Sequence, residues 1–515
     1  MGRFAKVVYN QPMNKTFTPS KQQDAYFTWV STGVGSAILE AVAGAGKTTT
    51  LIHGLSLMQG YKFFGAYNKK ICEDIAAKTG GIENLTVSTF HAAGFKAWRK
   101  VAPRVCVDGN KVRQIFRNCC ERNPDSKYEL FEGPVVHLVS LAKQSGLGIA
   151  SKSMTLFSNW LDIIDHFDIE VFDEETGKDN TALIVQLARK TLEASIEANT
   201  RVVDFDDMIY APLYHNVKMF QFDWVMIDEA QDTNETRRLL ALRMLKRGGR
   251  LVAVGDPRQA IYGFSGADSN SLRLIAESVN AHSIPLTITY RCPKKIVEYA
   301  HQWVSHIQAA DSAPDGEVSE IKIEELGDHA VPGDAILCRF NAPLVKYVYQ
   351  FIAKGVPAKV EGREIGTGLK QLASRWKVRK LSTLIDKLDA YRERESNKFR
   401  VKEQETKAAG VEDKVDCLKV IIDRVMKIDP ECKKPVDRIC AEIDAIFTED
   451  GSAKVVLLSS IHKSKGREWD NVFILKTGPS AWARKAWEKE QEDNLCYVQA
   501  TRAMKKLIVV DITKE

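Results

Sequence analysis

The chain has 515 residues, of which 44% are hydrophobic and 27% charged, a composition typical of a globular protein with several domains. Its formal net charge of +6 permits a nucleic-acid partner but does not require one, because ordinary surface can carry such an excess. The ten cysteines include no C-x-x-C pair, which disfavours a zinc ribbon or an iron–sulfur site. Because neither an N-terminal signal core nor a run of ~18 apolar residues is seen, we expect a cytoplasmic protein without a membrane partner.

Short apolar runs separated by helical stretches predict a parallel α/β sheet in the N-terminal half of the chain. The strand candidates there are SAILEAVA (36–43), YKFFGAY (61–67), DWVMID (223–228), RLVAVGD (250–256) and IPLTIT (284–289). A second α/β domain is predicted by a later set, AILCRF (335–340), VVLLSS (455–460), NVFILK (471–476) and LIVVD (507–511).

Two further segments have a helical pattern. Residues 100–200 are mostly helical in pattern and carry no motif that indicates chemistry. The stretch from Trp376 to Phe447 is rich in charged residues, with apolar residues at helical spacing in LSTLIDKL and DCLKVIIDRVMKI. It predicts a small helical insert in the second domain, with its charges on a solvated face.

The run AVAGAGKTTT (41–50) lies between a strand candidate and a helix, which is the context of a phosphate-binding P-loop. Ala41 stands where the usual pattern has glycine, but it sits at the strand end, where glycine geometry is not obligatory. Lys47 is expected to reach the β and γ phosphates of ATP, and the Thr48 hydroxyl to bind Mg²⁺. The predicted phosphate-binding set is Ala43, Gly44, Ala45, Gly46, Lys47, Thr48 and Thr49.

The run VMIDEAQD (225–232) predicts a strand that ends in two acids. Asp228 is placed to bind Mg²⁺, and Glu229 to orient and deprotonate the attacking water. A chance glycine-rich turn, or two acids that merely cap the next helix, is disfavoured because both motifs occur in order. The pair therefore predicts an ATP-hydrolysing site with Mg²⁺ as cofactor.

These motifs belong to a longer series, namely TPSKQQDA (18–25), AVAGAGKT, STFHAAG (88–94), IDEAQDT (227–233), VGDPRQAIYGFSGAD (254–268), TYRCP (289–293), SSIHKSKGREWD (459–470) and CYVQATRA (496–503). In content and order the series resembles the superfamily-1 DNA helicases of the UvrD/Rep/PcrA type. The resemblance implies two RecA-like parallel-sheet P-loop domains with helical insertions. The implied first domain covers residues 1–100 and 200–280 with an insertion at 101–199, and the second covers 281–375 and 448–515 with a short insertion at 376–447.

The resemblance also implies contacts to ATP beyond the P-loop and the acid pair. The implied contacts are Gln22 to the adenine edge, Tyr290 stacked on the base, Glu468 to the ribose, and Gln259, Arg291 and Arg502 to the γ-phosphate. Arginine suits this task because its planar, permanently charged fork can neutralise charge that develops on the transferred phosphoryl group.

Single-stranded DNA is the implied nucleic-acid partner, together with junctions between single and double strands. Tyr262 and Phe264 match family positions that stack on bases, although both rings could instead be buried in a core. The other implied strand contacts are Asn68, Lys69, Thr89, Phe90 and His91 in the first domain and His462 and Lys463 in the second. Each of the two histidines could instead be an ordinary hydrogen-bonded side chain.

The sequence departs from the family pattern at four places. Ser265 stands where the family commonly has arginine, and Arg467 where leucine is usual. Ala66 and Tyr67 replace a Phe-Thr pair, and the second insertion is much shorter than the regulatory subdomain of typical relatives. DFDDM (204–208) could suggest a nuclease metal site, but it lacks a spaced lysine and partner carboxylates, so a structural role is expected.

The resemblance predicts an ATP-dependent DNA helicase that translocates along single strands, in the 3′ to 5′ direction. An alternative is a motor subunit that translocates or strips proteins and needs a nuclease, repair or replication partner for unwinding. A strand clamp that is gated by ATP and does not move is disfavoured by the intact acid pair and by Arg502.

Overall fold

A computed structural model describes residues 17–66, 68–123, 128–167, 169, 171, 179–261, 270–376, 378–401, 405–430, 432–448, 454–477 and 486–512. The helices of the first half are α1 (Lys21–Thr32), α2 (Lys47–Leu55), α3 (Lys69–Lys78), α4 (Phe90–Trp98), α5 (Lys111–Glu121), α6 (Glu132–Gln144), α7 (Phe157–Phe167), α8 (Thr181–Glu197), α9 (Asp207–Tyr214), α10 (Glu235–Met244) and α11 (Ser271–Val279). Its strands are β1 (Ala37–Ala41), β2 (Lys62–Ala66), β3 (Leu85–Thr89), β4 (Cys106–Val107), β5 (Val202–Val203), β6 (Phe222–Ile227), β7 (Leu245–Gly255) and β8 (His282–Leu286).

The second half is built in the same way. Its helices are α12 (Lys294–Ala300), α13 (Leu326–His329), α14 (Asn341–Ala353), α15 (Arg363–Ala373), α16 (Leu381–Val401), α17 (Glu405–Ile428), α18 (Pro435–Ile446), α19 (Ile461–Ser464) and α20 (Ala486–Ala500). Its strands are β9 (Ile288–Thr289), β10 (Gln308–Ala309), β11 (Glu317–Ile321), β12 (Ala335–Cys338), β13 (Ala358–Glu361), β14 (Phe447–Thr448), β15 (Val456–Ser460), β16 (Trp469–Lys476) and β17 (Ala503–Asp511).

The first lobe is the six-stranded sheet with strand order β3-β2-β6-β7-β1-β8, together with the helices that cover it. All neighbouring strands are parallel. Every residue of β2 and the last five residues of β7 are buried, as expected for a parallel sheet covered on both faces. Because the strands run in one direction, β1, β2, β3, β6 and β7 all end at one edge, where the predicted motifs follow them.

The second lobe is the seven-stranded sheet with strand order β11-β17-β16-β12-β15-β13-β14, again with parallel neighbours. β12 and β15 are fully buried, since α14 and α19 pack on these strands. The predicted α/β class with two parallel sheets and helical insertions is therefore confirmed.

One predicted strand is divided between two sheets. The run IPLTIT was expected to form a single strand, but β8 pairs with β1 in the first lobe whereas β9 pairs with β10. The division lies at Thr287, whose backbone N–H donates to Gln22 Oε1 at 2.8 Å and not to a neighbouring strand. A domain boundary at 281 is therefore wrong for β8, which completes the first sheet.

The first insertion, α5 to α8, has a core of its own. Phe116, Leu138, Trp160 and Leu192 are among its fully buried side chains, and Tyr210 of α9 joins them from the first lobe. The insertion is thus a helical unit that rests on the first lobe through α9.

The second insertion, α16 to α18, is helical as predicted, but it does not have a separate core. Leu418 and Ile421 of α17 belong to the same buried cluster as Ile336 of β12 and Val348 of α14. Asp413 of α17 also accepts hydrogen bonds from two backbone N–H groups at the start of α14, at 3.0 and 2.7 Å. The insertion is therefore packed as a part of the second lobe.

Candidate functional site

The P-loop closes the turn between β1 and α2. Gly44 and Gly46 have φ values of 71° and 72°, a left-handed conformation that favours glycine. A Cβ atom on Gly44 would lie 2.5 Å from Thr289 Oγ1 and 2.6 Å from the Cβ of Arg291. Glycine is therefore required at position 44, both for its backbone conformation and for the close approach of segment 289–291.

The acid pair lies directly against the start of α2. Thr48 Oγ1 donates to Asp228 Oδ2 at 2.7 Å, and Lys47 Nζ lies 3.3 Å from Glu229 Oε2. Glu229 has a φ of 51°, which is uncommon for a residue with a side chain and turns the chain sharply after β6. The two predicted motifs thus converge as the sequence indicated, with a hydroxyl and two carboxylates around one lysine.

The two carboxylates differ in their electrostatics. Burial and the neighbouring Glu229 raise the pKa of Asp228, against the opposing hydrogen bond from Thr48. Burial also opposes ionisation of Glu229, but Lys47, the Gln231 amide and a second lysine outweigh it and lower the pKa of Glu229. Glu229 is therefore held as a carboxylate, whereas Lys47 and Thr48 offset only part of what raises the pKa of Asp228.

The site fits Mg²⁺ for that reason. Thr48 and Asp228 offer adjacent oxygen ligands, which Mg²⁺ prefers, and a cation would stabilise the buried Asp228 carboxylate. No cluster of three His, Cys, Asp or Glu side chains suited to a metal occurs among the described residues. A cation here would accordingly take only one or two ligands from the protein.

A chain of hydrogen bonds runs from Glu229 through the first lobe. Gln231 Nε2 donates to Glu229 Oε2 at 2.7 Å, and Gln231 Oε1 accepts from the backbone N–H of Asp256 at 3.1 Å. Asp256 Oδ2 in turn accepts from Gln259 Nε2 at 2.7 Å. The predicted phosphate sensor Gln259 is thus connected to the candidate base Glu229 through two buried side chains.

Arg502 reaches Gln259 from the second lobe. Its Nη2 lies 3.3 Å from Gln259 Oε1, and its Nε and Nη1 donate to the carbonyls of Val498 and Arg467. Arg502 is 1% exposed. Burial and the nearby Arg291 charge lower the pKa of Arg502 to about 10, so the guanidinium remains charged at neutral pH.

Two other predicted ATP contacts bind each other. Arg291 Nε donates to Glu468 Oε2 at 2.6 Å, and Arg291 Nη1 donates to the carbonyl of Thr501. The predicted ribose contact Glu468 and the predicted γ-phosphate contact Arg291 thus form an ion pair with each other.

The predicted base site is built from α1 and the segment after β8. Gln22 exchanges two hydrogen bonds with Thr287, each at 2.8 Å, so its amide is fixed in orientation. The ring of Tyr290 is 49% exposed and its hydroxyl lies 3.3 Å from Gln23 Oε1. An exposed ring beside a fixed amide is an arrangement that can stack on a base and contact its edge.

Two cleft residues were not identified from the sequence. Lys465 Nζ contacts both carboxylate oxygens of Asp232, at 2.9 and 2.7 Å, and the carbonyl of Gln259 at 2.6 Å. The hydroxyl oxygen of Tyr497 accepts a hydrogen bond from the backbone N–H of Ala43 in the P-loop, at 2.8 Å. Each lies inside a quoted motif, yet its partner is more than 200 residues away, so local pattern could not reveal it.

Comparison with known families agrees with this geometry. Residues 65–280 match the UvrD/REP helicase N-terminal domain, and residues 369–514 match the UvrD-like helicase C-terminal domain. The chain belongs to the UvrD/Rep/PcrA type of superfamily-1 helicases.

The relatives are distant and longer. The ATP-dependent DNA helicase PcrA of Leuconostoc citreum is 26% identical over 313 residues, which are 56% of this chain and 39% of that protein. PcrA of Staphylococcus epidermidis is 23% identical over 398 residues, covering 67% and 50%, and PcrA of Bacillus subtilis is 24% identical over 318, covering 55% and 39%. The chain thus matches half or less of the length of these UvrD-type relatives.

The first-lobe residues that the UvrD-type resemblance assigned to DNA have structural contacts of their own. Asn68 and Thr89 cap α3 and α4, accepting backbone N–H groups at 2.9 and 3.1 Å. Phe90 is 6% exposed and packs beneath Gly65, so its ring belongs to the core. Lys69 projects into solvent, with its side chain 90% exposed.

His91 and His462 are the two histidines that the UvrD-type resemblance assigned to strand contacts. His91 lines a small cavity with Asp228 and Glu229, and burial and Arg237 lower its pKa to about 4. His462 follows β15, where burial, Arg339 and Lys465 lower its pKa to about 3. Both side chains are therefore neutral at physiological pH, whereas the neighbouring Lys463 is exposed.

Four positions that bear on DNA binding cannot be placed. Tyr262, Phe264 and the departure Ser265 lie outside the described residues, as does Tyr67. Their assignments as base contacts, or as altered contacts, remain predictions from the UvrD-type resemblance.

The acids of DFDDM form a buried ionic network. Lys143 Nζ lies 2.6 Å from Asp204 and 2.7 Å from Asp207, and Lys111 Nζ lies 2.6 Å from Asp207. The lysines come from α6 and α5 and precede their partners by 61 and 96 residues, so sequence spacing could not reveal them. Because two ammonium groups neutralise these carboxylates, the network joins the first insertion to α9 and does not form a nuclease metal site.

Within the described part of the chain, no helix combines the length and the hydropathy of a membrane span.

Proposed function

We propose that this protein is an ATP-driven motor that translocates along single-stranded DNA and unwinds duplex DNA, moving 3′ to 5′. The direction is taken from the resemblance to UvrD-type helicases. The proposed substrates are ATP and a DNA junction with a single-stranded tail, and the proposed cofactor is Mg²⁺.

One observation supports this proposal most strongly, namely the contact between Arg502 of the second lobe and Gln259 of the first. Gln259 is connected to Glu229 through Asp256 and Gln231. An arginine of one lobe thus contacts the hydrogen-bond network of the other lobe that leads to the candidate general base. Hydrolysis at such a site depends on lobe closure, which is the property that a motor requires.

The chemistry proposed for the site is in-line attack of water on the γ-phosphate. Lys47 can contact either Glu229 or a phosphate oxygen. If its ammonium group moved from Glu229 to the phosphate, the pKa of Glu229 would rise and Glu229 would become more basic. Glu229 would then accept the proton of the attacking water. Arg502 and Arg291 would stabilise the charge that develops on the phosphoryl oxygens.

The proposed metal ligands are Thr48 and Asp228. When held by Thr48 and Asp228, Mg²⁺ would supply positive charge that neutralises part of the charge on the phosphates. Asp228 would be ionised by this contact, while the hydrogen bond from Thr48 holds it in place.

The proposal is tested by measuring ATP hydrolysis with and without single-stranded DNA, and unwinding of duplexes with a 3′ tail, a 5′ tail or no tail. We expect hydrolysis to be stimulated by the strand and unwinding to require the 3′ tail. A rate of ATP hydrolysis that is the same with and without single-stranded DNA would contradict the proposed motor function. Preferential unwinding of the duplex with a 5′ tail would contradict the proposed direction. An RNA tail of the same sequence serves as the comparison for substrate class.

A second candidate is a motor subunit that strips proteins from DNA but needs a partner for unwinding. It is favoured by the second insertion, which packs into the core of the second lobe through Leu418 and Ile421. An insertion held in this way offers no separately moving subdomain for duplex handling.

Streptavidin bound to a biotinylated single strand distinguishes the two candidates. Displacement of streptavidin together with poor unwinding of tailed duplex would support the motor subunit. Efficient unwinding by the purified chain alone would support the helicase.

A further inference from the structure

The segment Lys465 to Glu468, which we term the bridging loop, connects α19 to β16. Gly466 has a φ of 82°, and the N–H of Arg467 donates to the carbonyl of Ser464 at 3.0 Å. The loop is therefore a single tight turn, and its position depends on what its side chains contact.

The bridging loop holds two cations of the cleft. Lys465 carries its ammonium group to Asp232 of the first lobe, at 2.7 Å. The carbonyl oxygen of Arg467 accepts a hydrogen bond from Arg502 Nη1 at 3.2 Å. The N–H of Trp469, the next residue after the loop, donates to the carbonyl of Arg502 at 3.0 Å. A shift of the loop would therefore move both Lys465 and Arg502.

The side chain of Arg467 fixes the loop to the second sheet. Arg467 Nη2 lies 2.5 Å from Glu361 Oε1, and the other oxygen of Glu361 accepts from Ser459 Oγ at 2.8 Å. Glu361 is 5% exposed and ends β13, while Ser459 lies on the neighbouring β15. The carboxylate is thus buried between two strands with one donor for each of its oxygens.

Arg467 and Glu361 form a unit that the family resemblance does not supply, since leucine is usual at position 467. Among the described residues, a leucine there would leave the buried Glu361 carboxylate with the Ser459 hydroxyl as its remaining side-chain donor, which is costly for a charged group. The arginine also gives the loop a charged, directional contact, whereas leucine could offer only packing.

We propose that Arg467 is a positioning residue for ATP hydrolysis, and that it acts through Glu361. The pair fixes the bridging loop, and the loop in turn places Arg502 and Lys465 at the interlobe cleft. This inference rests on the proposed ATP-hydrolysing function.

The test compares Arg467→Leu, Arg467→Lys, Glu361→Gln and the double variant Glu361→Gln/Arg467→Leu with the unaltered chain. We expect Arg467→Leu to lower kcat for strand-stimulated hydrolysis about tenfold to a hundredfold, because misplacement of a catalytic group by about 1 Å has such an effect. KM for ATP should change less than about threefold, since the P-loop is untouched. Arg467→Lys should recover part of kcat.

The double variant tests whether the two residues act as a unit. Because Arg467 acts through its ion pair with Glu361, Glu361→Gln should add no further loss of kcat to Arg467→Leu. The matched control is Lys505→Leu, which removes an exposed ion pair with Asp470 at the neighbouring strands and should leave kcat unchanged. Melting midpoints of all variants separate lost positioning from lost folding.

The outcomes are distinct for the inference and for the proposed function. Absence of hydrolysis by the unaltered chain would overturn the function. If the unaltered chain hydrolyses ATP and kcat of Arg467→Leu is within twofold of it, the inference would be overturned. The inference would also be overturned if the loss of kcat in the double variant equalled the product of the two single losses. A crystal structure of Arg467→Leu decides the placement independently of activity, since a bridging loop that keeps its contacts to Asp232 and Arg502 would also overturn it.

Discussion

The two walls of the interlobe cleft are organised differently. On the first wall, Lys47 and Thr48, which come after β1, contact Glu229 and Asp228, which come directly after β6 of the same lobe. On the second wall, Arg502 is placed by a backbone carbonyl of its own lobe and meets the first lobe through Gln259. The first wall is therefore complete by itself, whereas the second is functional only when the lobes meet.

This difference separates two kinds of loss. Substitutions on the first wall should abolish ATP hydrolysis or phosphate binding without altering the contacts between the two lobes. Changes on the second wall should reduce turnover while ATP binding by the P-loop persists. The following predictions test that division, beginning with the largest expected effect.

Arg502→Lys should give the largest loss, because lysine keeps the charge but cannot reproduce the fork that contacts Val498, Arg467 and Gln259 together. We expect strand-stimulated kcat to fall by about 10³ or more, by analogy with arginine fingers of GTPases. Steady-state hydrolysis and equilibrium binding of a fluorescent ATP analogue measure the two properties separately. A loss of ATP affinity equal to the loss of kcat would contradict the division between walls.

Glu229→Gln should lower kcat by about 10² to 10⁴, the usual contribution of a general base. ATP and DNA binding should persist, because glutamine keeps the shape and the hydrogen bond to Gln231 remains available. Single-turnover hydrolysis with bound DNA is the measurement. Unchanged strand-stimulated hydrolysis would remove Glu229 from the role of base.

The division also explains what the sequence could predict. Lys47 and Thr48 follow β1, and Asp228 and Glu229 follow β6, so strand ends and spacing sufficed to predict their convergence. Both sheets were predicted because apolar runs mark buried parallel strands, and the insertions were predicted to be helical from their helical sequence pattern.

Contacts between distant segments could not be predicted in this way. The partners of Lys465, Tyr497 and Lys111 depend on how whole lobes and helices pack, and no local pattern encodes that packing. The end of β8 could not be predicted either. The run IPLTIT was expected to be a single strand, but the backbone N–H of Thr287 donates to Gln22, so β8 ends before Thr287. Phe90 illustrates the converse, since a motif residue expected at the DNA surface lies in the core.

Lys465→Met should have a smaller effect than loss of Arg502. Methionine keeps the length of the side chain but removes the charge that contacts Asp232 across the cleft. Breaking one partly buried cross-lobe ion pair should lower kcat about tenfold, equivalent to about 1.4 kcal/mol. The experiment is strand-stimulated hydrolysis of Lys465→Met, Asp232→Asn and the double variant.

A double variant no worse than either single variant would place both residues in one contact. Lys505→Met is the matched control, because this lysine is exposed and is assigned no contact to ATP or DNA. Equal losses for Lys505→Met and Lys465→Met would show that general charge, and not the bridge to Asp232, is responsible.

The smallest effect concerns the neutral histidine on each wall. Burial gives each histidine a folded pKa well below the ~6.5 of an unfolded chain, and Arg237 near His91 and Arg339 and Lys465 near His462 lower it further. The unfolded chain therefore binds more protons between these values. The contribution to stability is present above pH ~6.5 and is lost as the pH falls towards the folded pKa values of about 4 and about 3.

Between pH 6.5 and 5.5, each histidine should reduce the free energy of unfolding by at most about 1.4 kcal/mol. Urea unfolding of His91→Gln and His462→Gln at both pH values should show a shallower dependence than the unaltered chain. His306→Gln, which alters an exposed histidine, is the control and should retain the full dependence. If the pH dependence becomes shallower for only one of the first two variants, the two histidines differ in local burial. If it becomes shallower for neither, both histidines are hydrated enough to accept protons, as the residues of a DNA-contacting surface would be.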